Sequence, residues 1–135
     1  MDIFDVIGPI MIGPSSSHTA GAARIGRVAR RLLGAEVEWA SIGLYGSFAS
    51  TYQGHGTDRA IVAGLMDMGV DDIRIRKSLS LAKQAGMHFE FYTIDALRDA
   101  HPNTAVILAR GAGTQVEIQA GSVGGGGIRV GRLGG

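Results

Sequence analysis

The sequence predicts an α/β fold in which helices pack on a mixed or largely antiparallel sheet. Residues 18–33 carry apolar side chains three and four positions apart, as one face of a helix does. Residues 87–92 alternate apolar and polar side chains, which is typical of a half-buried strand. Residues 104–109 are a continuous apolar run, as expected of a central strand covered on both faces. Gly111-Ala112-Gly113 follows this run and leads into the alternating segment 114–120, which predicts a hairpin with its turn at these residues.

The other elements follow in chain order. A short apolar opening reaches residue 12, the segment 13–17 breaks it, and Gly34 ends the first helix. The arginines of that helix lie mostly opposite its apolar side; they are Arg24, Arg27, Arg30 and Arg31. The remaining predictions are a strand at 37–45, a loop at 46–56, a helix at 57–68, a short edge strand at 71–76, a helix at 78–85, and a bulged hairpin strand or a hinge at 121–130.

Length and composition predict a single domain, residues 1–135, with one core. The formal charge of +1 gives no concentrated basic face, so we expect neither a nucleic-acid nor a membrane partner. The first five residues carry acids where a signal peptide carries Lys or Arg, and we expect a cytoplasmic protein. The chain ends on Gly134-Gly135, from which we expect more protein to follow.

The sequence contains no cysteine, and this limits its chemistry. Without cysteine, the chain has no disulfide framework and no thiolate nucleophile, and it holds no cluster or zinc ion through its own sulfur. No metal site is predicted on this chain.

The first candidate site is a serine-rich segment before the first helix. Residues 13–19 spell GPSSSHT, with three hydroxyl side chains beside the unpaired N–H groups of a helix start. The helix dipole, with His18, would stabilise a carboxylate or phosphate there. The alternative interpretation is one capping serine within an ordinary loop. The candidate residues are Ser15, Ser16, Ser17, His18 and Thr19.

The second candidate is residues 54–58, GHGTD, again where a loop meets a helix. Flanking glycines leave His55 sterically open, and an imidazole with an ordinary pKa of about 6.5 can act as a base near neutral pH. Thr57 and Asp58 can cap the helix, orient the imidazole, or both. The alternative is a surface histidine in a loop.

The third candidate is His101-Pro102-Asn103, immediately before the central strand. Proline favours an extended conformation for His101, so His101 and Asn103 would lie at the mouth of that strand. A polar turn is the alternative. The fourth histidine, His88, alternates with apolar residues in a strand and is interpreted as structural. If the three turns meet in space, they form a polar pocket with anion donors and acid–base groups.

These motifs carry a resemblance to a known family. The GPSSSHT segment resembles the opening of bacterial iron–sulfur L-serine dehydratases. Residues 45–49 (YGSFA) with 54–58 resemble the second signature of that family, His101-Pro102-Asn103 its third, and residues 122–126 (SVGGG) the glycine-rich close of its β domain. The resemblance covers nearly the whole chain, and the order of the motifs makes it specific.

The resemblance implies that L-serine is converted to pyruvate and ammonia by elimination of water. It places a [4Fe–4S] cluster on a separate α subunit, where an open iron acts as a Lewis acid on the substrate hydroxyl. Ser15 to Thr19 would hold the polar ends of the substrate, His55 and Thr57 would face it, and His101 and Asn103 would complete the pocket. His55 is our candidate base, although His55 and His101 can exchange roles. The chain alone would be inactive.

The same resemblance implies a fold similar to the allosteric substrate-binding domain of some phosphoglycerate dehydrogenases. It also implies a heteromeric or multi-copy assembly, including a homo-oligomer, and an ACT regulatory domain after residue 135.

Two other functions compete with this interpretation. A non-catalytic module that senses serine or another anion would use the first motif but would not need two further potential bases. A self-sufficient serine hydrolase is disfavoured because the serines lack a Gly-x-Ser-x-Gly elbow.

Overall fold

Five strands form one mixed sheet in a computed structural model of the chain. The structure describes residues 17–51, 56–97, 100, 102–124 and 127–134. Side chains are described for residues 19–50, 56–97, 100, 102–122 and 131. The elements are α1 (Ser17–Leu33), β1 (Trp39–Gly46), α2 (Ser47–Thr51), α3 (Thr57–Leu65), a 3₁₀ helix (Ile73–Lys77), α4 (Ser78–Gln84), β2 (His88–Ile94), β3 (Asn103–Gly111), β4 (Thr114–Gly124) and β5 (Gly127–Gly134). The strand order is β2-β1-β3-β4-β5, with β1 and β2 parallel and the other pairs antiparallel. The predicted α/β fold with a mixed, largely antiparallel sheet is confirmed.

The hydrophobic core lies between the helices and one face of the sheet. Strand residues on this face pair in register and are fully buried, as Ile42 opposite Ile107 and Ile107 opposite Ile118 illustrate. The helices contribute buried residues such as Ile25 and Ile61 to the same cluster. Each large aliphatic side chain buried this way stabilises the fold by about 1.5–3 kcal/mol.

Strand β3 is central, as predicted, but its two faces differ. Ala105, Ile107 and Ala109 are fully buried, whereas Val106 and Leu108 on the opposite face are half-buried. The apolar run therefore predicted the position of the strand correctly, but the side chains on its second face are less buried than it indicated.

The turn between β3 and β4 confirms the predicted hairpin. Gly111 pairs with Thr114, and the two residues between them have positive φ angles, 53° at Ala112 and 75° at Gly113. Two positive φ angles match the right-handed twist of the flanking strands. Residues 121–124 of the later glycine-rich segment lie in β4, which pairs with β5 through a register shift between Ser122 and Gly124, as the bulged-strand alternative predicts.

Helices α1 and α3 touch through their backbones at two glycines. A Cβ atom on Gly64 would lie 2.6 Å from the Arg27 nitrogen and would overlap the Ala23 carbonyl oxygen. A Cβ atom on Gly26 would overlap the Ile61 carbonyl oxygen. Glycine is therefore required at both positions for the observed approach of the helices.

An ion-pair cluster joins these two helices near their carboxyl-terminal ends. Asp67, two residues beyond the end of α3, accepts hydrogen bonds from Arg27 at 3.0 Å and from Arg31 at 3.1 Å. Arg30 also donates to the Leu65 carbonyl oxygen at 3.3 Å. These contacts hold the later turns of α1 against the end of α3.

Partial burial of Asp67 opposes its ionisation, but the hydrogen bonds and charges of Arg27 and Arg31 outweigh that effect and hold the pKa of Asp67 below its usual value. Asp67 also has a positive φ of 66°, a conformation that Asp and Asn tolerate better than other side chains.

The predicted edge strand at 71–76 is wrong. Residues 73–77 form a 3₁₀ helix because Asp72 is its N-cap, with the carboxylate accepting from the Arg74 backbone nitrogen at 2.8 Å. Hydrogen bonds from the side chain and backbone of Arg74 lower the pKa of Asp72 to about 2. Local capping decides the conformation of this short segment.

Two further predictions around α3 need correction. The segment predicted as a loop at 46–56 contains α2, whose Phe48 is fully buried in the core. The N-cap of α3 is Gly56, with φ 87°, and its carbonyl accepts from the Ala60 nitrogen at 2.9 Å. Thr57 and Asp58 are therefore the first helical residues rather than caps.

Helix α1 ends at the predicted position but buries one arginine. The Gly34 nitrogen donates to the Arg30 carbonyl at 3.1 Å, and Gly34 has φ 75°, as a helix-ending glycine should. Arg24 is only 3% exposed, so its predicted place on the outer side of the helix is wrong, and burial lowers its pKa. Among the described helices, none has the length and apolar composition needed to cross a membrane.

We predict that Gly64→Ala destabilises the protein by about 1 kcal/mol. Overpacking at a close contact costs roughly 1–3 kcal/mol, and alanine recovers only about 1 kcal/mol through its helix propensity. Urea unfolding followed by circular dichroism measures this. Gly69→Ala is the matched control, because its nearest neighbour would be the flexible carboxylate end of Asp71 at 3.3 Å. Equal stability of the two variants would contradict the packing account.

We predict that Asp67→Asn lowers the free energy of unfolding at pH 7 by about 0.5–1 kcal/mol, since the ion pair is partly exposed and screened. A carboxylate with a depressed folded-state pKa stabilises the fold above its unfolded pKa of about 3.9 and loses that effect as the pH falls through its folded pKa. The difference between wild type and variant should therefore disappear in acid.

Asn keeps the positive φ accessible, so this substitution tests the charge alone. Urea unfolding from pH 7 down to pH 3 measures the difference, with Asp71→Asn on the same connection as the control. A deficit that persists undiminished at low pH would rule out the electrostatic explanation.

Candidate functional site

The end of β1 and the start of β3 form one corner. Gly46 pairs with Asn103, and the Ser47 nitrogen donates to the Pro102 carbonyl oxygen at 2.8 Å. Gly46 has φ 66°, and a Cβ atom there would lie 2.9 Å from the Pro102 carbonyl carbon. A side chain would therefore be both strained and obstructed. This contact joins the segment 45–49 to the start of the third candidate motif.

The amino-terminal part of α1 lies at the same end of the sheet. Gly21 packs on Ser122 of β4, where a Cβ atom would come 2.8 Å from the Ser122 Cβ. Ser122 follows Gly121, which pairs with Thr104 beside Asn103. At its other end, α1 places Leu33 near Gly111, the last residue of β3. The helix therefore runs along the sheet and begins at the end where β3 begins.

The start of α3 is linked to this corner by a short stretch of chain. Five residues lie between Thr51, the end of α2, and Thr57, the first residue of α3, so their Cα atoms are at most about 20 Å apart. The Gly46–Asn103 corner and the start of α1 therefore lie at one end of the sheet, and the start of α3 follows that corner closely in the chain.

Four predicted site residues have described side chains in this region. Thr19 is half-buried in the first turn of α1, and Thr57 is fully buried at the start of α3. Asp58 is half-buried, and its carboxylate accepts from the Arg59 nitrogen at 2.7 Å. Asn103 is half-buried at the start of β3, opposite Gly46.

The positions of the other predicted site residues remain predictions. Ser17 and His18 begin α1, but their side chains are outside the described set. Ser15, Ser16, His55 and His101 lie outside the described residues altogether. The two candidate bases are thus known only through their neighbours, Gly56 and Pro102.

His88 lies far from this end of the sheet. It is exposed and pairs with Trp39 at the beginning of β1, seven residues before Gly46. At roughly 3.3 Å per residue, about 23 Å of strand separates the two positions.

Two residues that help to shape this end were not singled out as site residues. Gly21 and Gly46 each allow a close backbone approach, at Ser122 and at Pro102. Gly46 lies within the YGSFA segment and Gly21 lies two residues after GPSSSHT, and this proximity to the motifs was the signal available in the sequence. Their packing role becomes visible only when the contacting strand is known.

The described part of the chain does not fit a metal centre of its own. Within it, no three His, Asp or Glu residues are placed to hold a metal ion. An iron–sulfur cluster requires cysteine thiolates as its usual ligands, and the whole sequence has none. The available groups are instead hydroxyls, amides, carboxylates and imidazoles, which bind polar substrates and transfer protons.

Comparison with known proteins gives a consistent result. The family model for the serine dehydratase beta chain matches residues 1–131. The "Probable L-serine dehydratase, beta chain" of Bacillus subtilis (strain 168) is 52% identical over 133 residues, covering 98% of this chain and 60% of the relative. The "L-serine dehydratase, beta chain" of Peptoniphilus asaccharolyticus is 43% identical over 128 residues, covering 94% of this chain and 58% of the relative.

A third relative, the "L-serine dehydratase" of Helicobacter pylori (strain J99 / ATCC 700824), is 34% identical over 139 residues, covering 87% of this chain and 30% of the relative. This chain spans about 60% of the length of the two beta chains that it matches. The match nevertheless extends over nearly all of its own residues, including each of the three candidate motifs. The chain belongs to the serine dehydratase beta chain family.

Proposed function

We propose that this chain is the β part of an L-serine ammonia-lyase and forms one side of its substrate site. The observation that carries the proposal is the Gly46–Asn103 corner at the end of the sheet where α1 begins. The beta-chain family match supports the same assignment. The reaction converts L-serine to pyruvate and ammonia.

In this proposal, the start of α1 holds the polar ends of L-serine. The residues that we assign to this role are Ser15, Ser16, Ser17, His18 and Thr19, which span the beginning of α1 in the sequence. The dipole of a helix stabilises a carboxylate at this end. The carboxylate of serine is the natural ligand for such a position, and the neighbouring hydroxyls are donors for it.

His55 removes the proton from Cα of L-serine, and His101 with Asn103 completes the pocket from the start of β3. Water leaves from Cβ as the Cα–Cβ double bond forms, and the resulting enamine hydrolyses to pyruvate and ammonia. Thr57 is fully buried, which favours a role in orienting the segment that carries His55. Asp58 is already engaged with the Arg59 nitrogen and supports the same helix start.

We further propose that a [4Fe–4S] cluster on a partner α subunit supplies the Lewis acid for the departing hydroxyl. The absence of cysteine from this sequence suits that division, and this chain alone should be inactive. The partner would cover the end of the sheet beside Gly46 and Asn103. We expect a cytoplasmic heteromer in which the β part can also be present in several copies.

Two features of the proposal concern the fold. We propose that residues 1–135 form one domain similar to the allosteric substrate-binding domain of phosphoglycerate dehydrogenases, and that an ACT domain follows it in the longer protein. The greater length of the related beta chains is compatible with such an additional domain.

We predict that the β chain, mixed anaerobically with a cluster-bearing α chain, releases pyruvate from L-serine, and that His55→Asn lowers kcat by at least about 10³-fold. Loss of a positioned base typically removes 10²–10⁴-fold of rate. Pyruvate formation is measured by coupling to lactate dehydrogenase. His88→Asn is the matched control, since it makes the same change at the far end of the sheet.

Full activity in His55→Asn would show that His55 is not the base. Serine binding by the reconstituted complex without pyruvate formation would favour the sensing module and overturn the lyase proposal.

We predict that His101→Asn mainly weakens substrate binding and raises KM for L-serine by about 10-fold, with a smaller effect on kcat. An interaction present equally in the bound substrate and in the transition state changes KM and leaves kcat nearly unaltered. Steady-state kinetics of the two histidine variants measure the difference. A large loss of kcat in His101→Asn with a mild effect of His55→Asn would assign the base to His101.

A further inference from the structure

Helix α1 rests directly on the sheet at Gly21. A Cβ atom added there would overlap the Ser122 Oγ and would lie 2.8 Å from the Ser122 Cβ. Such separations are shorter than real Cβ contacts, and Ser122 itself is only 2% exposed. The small side chain of serine and the absence of a side chain at Gly21 are both necessary for this close approach.

The contact lies between two of the candidate motifs. Gly21 follows Thr19 by two residues and follows Ser17, the first residue of α1, by about one helical turn. Ser122 is next to Gly121, which pairs with Thr104 beside Asn103. The contact therefore supports the beginning of α1 at the point where that helix is nearest to the start of β3.

The rest of α1 is held separately by α3. Gly26 and Gly64 place the two helix backbones in contact, and Arg27 and Arg31 bind Asp67 beyond that crossing. Because close-packed interiors transmit a local change in volume, extra volume at Gly21 would lift the beginning of α1 while its later turns stay anchored. The displacement would fall on the segment that precedes and includes Thr19.

We propose that Gly21 and Ser122 are a positioning pair that sets the distance of the first turn of α1 from the sheet and thereby places that turn, with Thr19, against the substrate. This inference rests on the proposed function. Neither residue touches the substrate; both act through the helix start. Both residues must be small, since a methyl group added to either one would fill the same space.

The test uses the full natural-length β chain, reconstituted anaerobically with its α chain. Gly21→Ala should raise KM for L-serine about 10-fold or more and change kcat by less than about 3-fold, because the displaced segment binds substrate and transition state equally. Ser122→Thr, which adds a methyl group from the strand side, should have the same effect. Gly69→Ala controls for adding a methyl group to a glycine far from this contact.

Rescue distinguishes positioning from general damage. Gly21→Ala combined with Ser122→Gly removes the side chain that the new methyl group would meet, and KM should return to within about 3-fold of wild type. An unchanged KM in both single variants, a loss confined to kcat, or a failure of the double variant to recover would overturn the proposal.

A second readout separates this inference from the proposed function. Hydrogen exchange of the backbone amides at residues 19–24, measured on the β chain itself, should be faster in Gly21→Ala and in Ser122→Thr than in Gly69→Ala, and should recover in the double variant. If the wild-type pair forms no pyruvate, the lyase proposal fails, while the exchange data still test the contact. Unchanged exchange in both single variants would overturn the positioning pair even in an active enzyme.

Discussion

The arrangement of this molecule depends on the backbone contact between α1 and α3 at Gly26 and Gly64. Each helix begins next to a candidate motif, so the distance between the two motifs follows from how closely the helices cross. Two glycines permit that crossing because any side chain would meet a carbonyl oxygen. The partly exposed ion pairs of Asp67 contribute little free energy and hold the later turns of α1 beside the end of α3.

The register of the sheet connects the core to the candidate site. Ala40, Ile42 and Leu44 face the helices and are fully buried, which fixes the pairing of β1 with β3. A slip of one residue would turn all three towards the opposite face. The same register places Gly46 opposite Asn103. Burial of apolar side chains in the middle of the sheet therefore determines which polar residues meet at its end.

The elements that the sequence predicted correctly are those with a long periodic pattern, such as α1, and those with a diagnostic turn, such as the hairpin at Ala112-Gly113. The short elements were missed because local contacts decide them. Asp72 caps a 3₁₀ helix where a short edge strand was predicted, and α2 places one fully buried residue, Phe48, in the core. Arg24 was misplaced because periodicity assigns a side of a helix but cannot report how much of that side is covered.

The sequence also indicated which kinds of residue belong to the site, although not their distances. Glycines and hydroxyls around helix starts have a local physical meaning, so Thr19 and Thr57 were identifiable without a structure. The pairing of Gly46 with Asn103 and the contact of Gly21 with Ser122 were not, because each joins residues that are far apart in the chain.

The residue types of this sequence suit one half of the chemistry in the proposed function. Elimination of water from serine requires removal of a proton from Cα and departure of a hydroxyl group, which leaves poorly because hydroxide is a strong base. Imidazoles and a helix start suit the first requirement and hold the carboxylate. The second requires a strong electrophile, and residues 1–135 contain no cysteine to hold an iron–sulfur cluster through thiolates. In the proposed function, the end of the sheet beside Gly46 and Asn103 is therefore one side of a site whose electrophile is held outside these residues.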